Sequence, residues 1–424
     1  MRFFYDLIFF LFFCASLPHA LKRRRANADY RGMGWRRWSC PKPEWKQGFP
    51  KIWLNGVSVG EVISLGPLVK EFEEQYPGIL LVISATTGTG FKRIQKLYPQ
   101  HQAVGMPFDF SYLVRRRLKV FQPTLILSAE LDLWPNFLIA CQTLNIPFVV
   151  VSGRISEVSA RGYQKIKALL QEPFQGIRLF LAQDSVDAER AKSIGVPAER
   201  IEVGGNLKFD LLKTQAPQCS PVLERLKNCG AFWLVLASSH HPEERIFVEA
   251  LLKTSAFKNP WRLVVVPRHP ERCSQVKLDL EALGAEIQVF SAIENGEELK
   301  SQAIVLVDRM GLLLPLYGFA SLAFMGGSLI PHGGQNMIEP AALGCPVMFG
   351  PHVKNFREAT EILLTAGGAV QVLNLENLAH ELALCLDDST LRLKLSQKGL
   401  VAVTSRQGVA RKIFERILPF FKQQ

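Results

Sequence analysis

The sequence predicts an α/β protein built from two doubly wound parallel sheets, preceded by an apolar N-terminal segment. Three observations lead to this fold class. Short apolar runs alternate with amphipathic stretches, this alternation occurs in two consecutive series, and the 424 residues exceed what one hydrophobic core usually serves. The composition, 48% hydrophobic and 21% charged, is typical of a globular protein with an ordinary core.

The first series occupies residues 51–210 and predicts an N-terminal domain. Its apolar runs are typical of strands buried on both faces of a parallel sheet. These predicted strands are Ile52–Val57, Ile79–Ser84, Thr124–Ser128, Phe148–Val151 and Leu179–Ala182. The helical patterns between them include Glu61–Gln75, Tyr112–Val120, Phe137–Leu144 and Ser185–Ile194. This strand–helix–strand repetition predicts one doubly wound sheet.

The second series occupies residues 222–424, after a polar, proline-containing linker at 211–221. Its predicted strands are Trp233–Ala237, Leu263–Val266, Ile304–Val307, Leu322–Phe324 and Val347–Phe349. Two helices, at about Thr390–Thr404 and Gly408–Phe420, close the predicted C-terminal domain. Ligands of open α/β sheets bind beyond the carboxyl ends of the strands, so we expect a binding cleft where these ends of the two domains face each other.

Residues 1–21 predict a membrane anchor, and residues 22–50 predict a basic segment beside the membrane. Leu7–Leu17 is almost wholly apolar, and the basic cluster Lys22–Arg25 follows it. Basic residues stay on the cytoplasmic side, so the body of the protein is expected there. A full span needs about 20 apolar residues. Because this stretch is shorter and carries Asp6, it either spans the bilayer or lies in its interface, with a cleaved signal peptide as the alternative.

The distribution of charge favours a lipid surface over nucleic acid as a partner. The chain carries a net charge of +12, and residues 1–50 alone, with ten Lys/Arg and three Asp/Glu, account for +7 of it. No basic, aromatic module typical of nucleic-acid binding is present in the sequence. The patch Arg115–Lys119 either contacts anionic headgroups or is a solvated helix face. The eight cysteines lack the spacing of a zinc site.

Two candidate motifs follow the first two predicted strands. Glu61 comes after the turn Asn55–Gly60 and opens a helix. Either Glu61 is a general base that faces the predicted cleft, or its negative charge only stabilises the N-terminal end of the helix dipole. Ser84–Phe91, with two glycines and several hydroxyls before a helix, is either an anion-binding turn or a plain strand–helix connection.

Three further charged residues of the first series lie at strand ends or at the linker. Glu130 and Asp132 follow the third predicted strand with a spacing that can bind a divalent metal, although one such pair is weak evidence for a metal. Lys208 precedes the linker, where it either neutralises a phosphate or sugar carboxylate or remains solvated.

The second series offers two candidate nucleotide contacts. Arg268 lies between prolines after the second strand and is either a phosphate ligand or a solvated loop residue. Asn336 and Glu339 lie three apart at a predicted helix start, close to glycine clusters that allow a phosphate to approach the backbone and its amides. The carboxylate could accept both ribose hydroxyls. A simple capping box is the alternative.

Taken together, the motifs resemble those of the Kdo (3-deoxy-D-manno-octulosonic acid) transferases of lipopolysaccharide assembly, in the GT-B class of glycosyltransferases. The resemblance runs from the N-terminal segment to the last helices. It rests on Ser58-Val59-Gly60-Glu61, Leu133-Trp134-Pro135-Asn136, Leu207-Lys208-Phe209-Asp210, Pro267-Arg268-His269-Pro270-Glu271-Arg272, Gly326-Gly327-Ser328-Leu329 and Gly350-Pro351-His352. In this order and at these spacings the motifs are highly specific, whereas none is specific alone.

The resemblance implies the fold, the reaction and the partners. It implies GT-B architecture, with two Rossmann-like domains facing each other across a cleft. It also implies an inverting transfer of one or more Kdo units from CMP-Kdo to lipid IVA or a Kdo-lipid acceptor, at the cytoplasmic face of the bacterial inner membrane. Inner-membrane lipids are then a further partner. Because CMP-Kdo has a single phosphate, we expect neither a metal nor another cofactor.

The resemblance further assigns roles to particular residues. Glu61 matches the general base that takes the proton from the acceptor hydroxyl. Glu130 and Lys208 match residues that stabilise the transition state. The positions that match the CMP-holding residues of the family are Pro267, Arg268, Met310, Gly311, Leu312, Asn336, Met337, Ile338 and Glu339.

The sequence departs from the family pattern at five positions, and two rival functions are open. The departures are Asn55 in place of His, Gly88 in place of Pro, Val158 in place of Arg, Leu312 in place of Glu and Gln335 in place of His. One rival is another GT-B enzyme that moves N-acetylglucosamine from a UDP-sugar onto a lipid carrier. The other is a non-catalytic membrane scaffold or a nucleic-acid binder.

Overall fold

A computed structural model describes residues 5–11, 13–16, 32–253 and 261–421. The chain forms two compact units, the first comprising Met1–Leu211 with Arg406–Gln424 and the second comprising Leu212–Ser405. Each unit contains one seven-stranded sheet, and all strand pairs in both sheets are parallel. The predicted fold class, two doubly wound parallel sheets, is therefore confirmed.

The sheet of the first unit has the strand order β3-β2-β1-β4-β5-β6-β7. Its strands are β1 (Ile52–Asn55), β2 (Val82–Ala85), β3 (Gln102–Gly105), β4 (Leu125–Ala129), β5 (Phe148–Gly153), β6 (Ile177–Ala182) and β7 (Ile201–Val203). The described helices before β4 are α1 (residues 5–11 and 13–16), α2 (Met33–Trp38), α3 (Val59–Ser64), α4 (Gly66–Gln75), α5 (Gly88–Leu97) and α6 (Ser111–Phe121). Those after β4 are α7 (Pro135–Thr143), α8 (Glu157–Lys165), α9 (Lys167–Phe174) and α10 (Ser185–Ile194).

The sheet of the second unit has the corresponding order β10-β11-β9-β8-β12-β13-β14. Its strands are β8 (Phe232–Ser239), β9 (Trp261–Pro267), β10 (Ile287–Val289), β11 (Ile304–Leu306), β12 (Leu322–Met325), β13 (Val347–Phe349) and β14 (Ala369–Gln371). The first helices are α11 (Pro221–Lys227), α12 (Glu243–Lys253), α13 (Cys273–Glu281), α14 (Phe290–Glu294) and α15 (Leu313–Tyr317). The later helices are α16 (Ile338–Ala342), α17 (Arg357–Thr365), α18 (Leu375–Asp387) and α19 (Ser389–Thr404).

Side chains of the central strands alternate between two cores, one on each face of the first sheet. In β1, Ile52 and Leu54 enter one hydrophobic cluster, whereas Trp53 enters the other. Both faces are buried because helices cover both, and therefore the strand is apolar at successive positions. In both sheets the chain order reverses between the first strand and a neighbour, β1 and β4 in one and β8 and β12 in the other, and ligands bind beside such points.

The last helix, α20 (Val409–Ile417), belongs to the first unit, so the predicted C-terminal domain of residues 222–424 is wrong at its end. Its amphipathic face is buried in a core of the first sheet, with Phe414 edge-on to Phe72 at 5.2 Å between ring centroids. The carboxylate of Asp210 accepts hydrogen bonds from the first amides of this helix, including Gly408 N at 2.7 Å. The apolar face of α20 finds its partners in residues that lie far earlier in the chain.

Helix α1 packs on the first unit through one face. Tyr5 donates a hydrogen bond to Asp109 at 2.9 Å, and Asp6 accepts from the backbone amide of Ser111 at 3.0 Å. Phe9 lies edge-on to Phe110 at 5.0 Å. On its other side, four apolar side chains remain about half exposed, namely Leu7, Ile8, Phe10 and Leu11.

The predicted anchor at residues 1–21 is covered only in part, since residues 1–4, 12 and 17–21 lie outside the described residues, as does 22–31 of the basic segment. In the described parts of the chain, we find no helix with the length and apolar character needed to cross a bilayer.

Candidate active site

In the first unit, the predicted catalytic carboxylates follow β1 and β4, which are adjacent strands at the point where the chain order reverses. Glu61 lies in α3, just after β1, and is only half-buried. Its carboxylate accepts hydrogen bonds from the backbone amide of Val57 at 2.8 Å and from the hydroxyl of Ser58 at 2.9 Å. Burial raises the pKa of Glu61, and the nearby charges of Glu130 and Asp132 add to the rise, while the two hydrogen bonds oppose it.

Ser58 and Glu61 together form the start of α3. Ser58 is the N-cap, and its hydroxyl oxygen accepts from the amide of Glu61. The sequence left open that the carboxylate of Glu61 stabilises the start of a helix, and the structure shows these hydrogen bonds. A carboxylate has about four lone-pair positions and Glu61 uses two of them here, so the cap leaves acceptor capacity for a proton.

The threonines of the Ser84–Phe91 turn support the Glu61 loop. The hydroxyls of Thr86 and Thr87 both donate to the carbonyl oxygen of Val57 at 3.1 Å, and Thr87 also caps α5. These hydroxyls are already engaged within the protein, which favours the plain strand–helix connection over an anion-binding turn. The same contacts hold the residue whose amide binds the carboxylate of Glu61.

Glu130 and Lys208 form an ion pair, with 2.7 Å between Nζ and Oε1. The two residues are 78 positions apart in the chain, and each keeps part of its side chain exposed. Glu130 has a φ of 55°, in the left-handed region that a non-glycine residue seldom adopts and that clusters at functional sites. The structure thus brings together the two residues that the family resemblance couples in one role.

Asp132 turns away from Glu130 into the protein. It is 8% exposed and accepts a hydrogen bond of 2.7 Å from the side-chain amide of Asn55. Burial raises the pKa of Asp132, and Asn55 and the charge of Arg37 oppose the rise. Asp132 is thus used inside the unit, whereas Glu130 pairs with Lys208. Within the described residues, no group of three His, Cys, Asp or Glu side chains is arranged to hold a metal ion.

In the second unit, a pocket of about 400 Å³ lies at the carboxyl ends of the strands. Seven of the nine predicted CMP contacts line it, namely Pro267, Arg268, Met310, Gly311, Leu312, Asn336 and Glu339. The other two do not: Met337 is fully buried, and the amide of Ile338 is bonded to Asn336. Leu312 gives the pocket an apolar wall.

Arg268 is the available cation of this pocket. Its side chain is exposed, and no other described residue pairs with its guanidinium. Its backbone amide donates to the carbonyl oxygen of Ser239 at 3.0 Å, which fixes the loop after β9 against the end of β8. The neighbouring Arg309 is instead held by Glu294, with 2.7 Å between Nη2 and Oε1. A phosphate in the pocket would therefore meet Arg268 as a free partner.

Asn336 and Glu339 face the pocket together, joined by a hydrogen bond of 3.0 Å from Nδ2 to Oε1. The helix that follows begins at Ile338 and has only five residues. Asn336 lies outside it, and its side-chain oxygen accepts from the amide two residues ahead, so a turn stands where the alternative of a simple capping box had been left open. Burial raises the pKa of Glu339, and the hydrogen bond from Asn336 lowers it.

The amides of the glycine turn after β12 are bound by a carboxylate of the protein itself. The carboxylate of Glu243 accepts hydrogen bonds from the amides of Gly327, Ser328 at 3.0 Å and Leu329 at 2.9 Å. Gly326 is needed because a Cβ there would lie 2.5 Å from the carbonyl oxygen of Ser238. The fully buried carboxylate of Glu243 thus holds the turn close to the end of β8.

The sequence did not indicate Glu243 or eight of the residues that line the pocket as site residues. These eight are Ser238, Val266, Arg309, Leu313, Leu314, Tyr317, Met325 and Gln335. One signal was available for Glu243, since two consecutive acids at 243–244 open a helix separated by three residues from the end of β8. Nothing local indicated Ser238, although it adopts a left-handed φ of 53° at a strand end.

The chain is similar to known Kdo transferases along most of its length. A family model described as 3-deoxy-D-manno-octulosonic-acid transferase (kdotransferase) matches residues 31–211. The 3-deoxy-D-manno-octulosonic acid transferase of Haemophilus influenzae is 30% identical over 393 residues, covering 91% of this chain and 89% of that protein. The transferase of the same name from Bordetella pertussis is 32% identical over 329 residues, covering 76% of each chain.

Among solved structures, a glycosyltransferase from Rickettsia africae matches with a TM-score of 0.57, 17% identity, and coverage of 88% of this chain and all of that chain. This likeness concerns the fold of two parallel-sheet α/β domains. Family membership comes from the sequence relatives, whose identity extends over both units. On that ground the chain belongs to the 3-deoxy-D-manno-octulosonic acid transferase family.

Proposed function

We propose that the protein transfers Kdo from CMP-Kdo to lipid IVA, with inversion at C2, in the assembly of the lipopolysaccharide inner core. Family membership supports the reaction class. The observation that carries the assignment of residues is that seven of the nine expected CMP contacts line one pocket of the second unit. The expected base and the Glu130–Lys208 pair lie together in the first unit.

In this proposal Glu61 removes the proton from the acceptor hydroxyl. Its pKa is raised by burial, which strengthens it as a base, and two hydrogen bonds fix its direction. Cleavage of the bond between C2 of Kdo and the phosphate develops positive charge on the sugar and negative charge on the leaving group. An inverting reaction needs one base and no covalent intermediate, so no second carboxylate is required as a nucleophile.

The second unit holds the leaving group. Arg268 binds the phosphate of CMP, while the Asn336–Glu339 pair accepts hydrogen bonds from the ribose hydroxyls. Stabilising negative charge on the phosphate as it departs is the electrostatic part of catalysis. In the first unit Lys208, paired with Glu130, supplies a second cation for stabilising the transition state.

The proposal also places the first unit on the cytoplasmic face of the inner membrane. The exposed apolar face of α1, with the basic Arg115 and Arg116 of α6 nearby in the same unit, suits the surface of a bilayer containing anionic lipid. The docked face of α1 is held by polar contacts of Tyr5 and Asp6, which favours a helix lying in the interface.

The decisive experiment compares the wild type with Glu61→Gln in an assay with CMP-Kdo and lipid IVA. Glutamine is the other residue typical of a capping box, so α3 should keep its start. We expect turnover to fall by about 10²-fold or more, the usual contribution of a general base, with CMP affinity retained. Normal turnover by the variant would rule out Glu61 as the base. Replacing CMP-Kdo by UDP-N-acetylglucosamine tests the rival donor, with which we expect no transfer.

A further inference from the structure

Three imidazoles that the proposed mechanism does not use form a cluster in the second unit. The rings of His240 and His332 are 3.9 Å apart between centroids and tilted by 32°, and that of His269 lies 5.9 Å from His240. They come from three separate loops, after β8, after β9 and after β12. We call His240, His269 and His332 the histidine cluster.

The histidine cluster continues one wall of the CMP pocket. Gln335, which lines the pocket, lies 3.0 Å from His240 between the two Nε2 atoms. Ser238 and Arg268 also line the pocket, and they lie two residues before His240 and one residue before His269 respectively. The rings of His269 and His332 are exposed and that of His240 is half-buried, so the cluster is open to a ligand that leaves the pocket on this side.

The groups around the cluster include donors for an anion as well as acids. Burial, the neighbouring imidazoles and Arg272 lower the pKa of His240 to about 4, while Glu244 opposes the shift. Glu244 binds Arg272 at 3.0 Å, and Glu243 accepts from the backbone amide of His240 at 3.0 Å. Glu271 lies 3.5 Å from Nδ1 of His269. An anion placed between His240 and His332 would meet imidazole donors and the side-chain amide of Gln335, with Arg268 of the pocket as a nearby cation.

We propose that the histidine cluster, with Gln335, binds the carboxylate of the sugar acid that CMP carries. This inference rests on the proposed function. In CMP-Kdo the carboxylate is attached to C2, the carbon that bears the phosphate ester, so it must lie close to the phosphate. If Arg268 holds the phosphate, the carboxylate can bind on the side of the pocket where His269, the next residue, lies 5.9 Å from His240 between ring centroids. The cluster would thus select acidic sugars.

Carboxylate binding has a measurable consequence for protons. A negative charge beside an imidazole stabilises its charged form and raises its pKa. The binding of CMP-Kdo by the wild type should therefore take up more protons than its binding by a variant that lacks the imidazole of His240. The same ligand is used in both cases because CMP is a phosphate monoester with a second ionisation at about pH 6, whereas the phosphodiester of CMP-Kdo has none.

The test is calorimetric titration of the full chain with CMP and with CMP-Kdo. We compare the wild type with His240→Ala and His332→Ala, and use His380→Ala, an exposed histidine of α18, as the control. We expect each cluster variant to weaken CMP-Kdo binding by about 10-fold or more, as for the loss of a charge-assisted hydrogen bond. CMP affinity should change by less than about 2-fold, within the scatter of surface substitutions. The extra proton uptake should disappear in His240→Ala.

Equal weakening of both ligands would assign the cluster to the phosphate and overturn the proposal, as would unchanged binding of both. Retained CMP affinity reports that each variant is folded. Failure of the wild type to bind CMP-Kdo while it binds CMP would instead count against the proposed function, so the two failures are distinguishable.

Discussion

Glu61 shows how one side chain can serve both local structure and chemistry. The sequence allowed two roles for its carboxylate, as a general base or as a group that stabilises the start of a helix. In the structure the carboxylate stabilises the helix start, and it can still act as a base. The hydrogen bonds that lower its pKa also fix its direction, while burial raises the pKa. For this residue the motif predicted the position, but only the surroundings decide how the two influences on its pKa balance.

Asp109 carries a prediction about pH. Burial raises its pKa to about 7, against an ordinary 3.8, although backbone amides of Asn136 and Phe137 oppose the rise. The native state therefore keeps this proton over a pH range in which the unfolded chain has lost it. The contribution of Asp109 to the free energy of unfolding is greatest below about pH 4 and falls as pH rises from about 4 to about 7.

We expect the midpoint temperature of thermal unfolding to fall less steeply between about pH 4 and about pH 7 in Asp109→Asn than in the wild type. The change is measured by thermal denaturation at a series of pH values, with Glu157→Gln on exposed α8 as the control. Parallel curves for the variant and the wild type would contradict the pKa assignment.

At the scale of elements, the strands that sequence analysis missed are the four edge strands of the two sheets. They are β3, β7, β10 and β14, and each is three or four residues long. In each of them except β10, at least half of the residues are partly or fully exposed. An edge strand pairs on one side only and is less enclosed, so it lacks the continuous apolar run by which a buried strand is recognised. The predicted helix at Glu61–Gln75 divides into α3 and α4, with Pro67 in the first turn of the second.

Helix α20 provides the prediction at this scale. Phe414 is 2% exposed and packs in the core of the first unit, so Phe414→Ala should cost about 3–5 kcal/mol of the stability of that unit. We expect faster hydrogen exchange in β1, β2 and β4, with the strands of the second unit unchanged. The matched control is Phe247→Ala, in the core of the second unit, which should give the opposite pattern. If Phe414→Ala accelerated hydrogen exchange only in the second unit, α20 would belong to the C-terminal domain as predicted from sequence.

For the whole molecule, the prediction concerns membrane binding. Replacing Leu7, Phe10 and Leu11 together by Gln should weaken binding of the full chain to vesicles with anionic lipid by at least about 10-fold, because each side chain loses roughly 1.5–3 kcal/mol of apolar burial. Vesicle flotation measures the bound fraction. The control replaces three exposed apolar residues of the second unit, Leu278, Leu393 and Val401, and should leave binding unchanged. Equal binding by the wild type and the α1 variant would contradict the proposal.

The sequence by itself determined the two doubly wound sheets and their central strands, because apolar runs and their alternation with helices are local properties of the chain. It also predicted seven residues that line one pocket of the second unit, since motifs after parallel strands converge at one edge of a sheet. The tertiary structure alone decided that α20 joins the first unit and that Glu243 occupies the glycine turn. It likewise decided that Asp132 turns inward to Asn55. These outcomes depend on pairs of residues far apart in the chain, and no local pattern records which distant partner satisfies a buried charge or an apolar face.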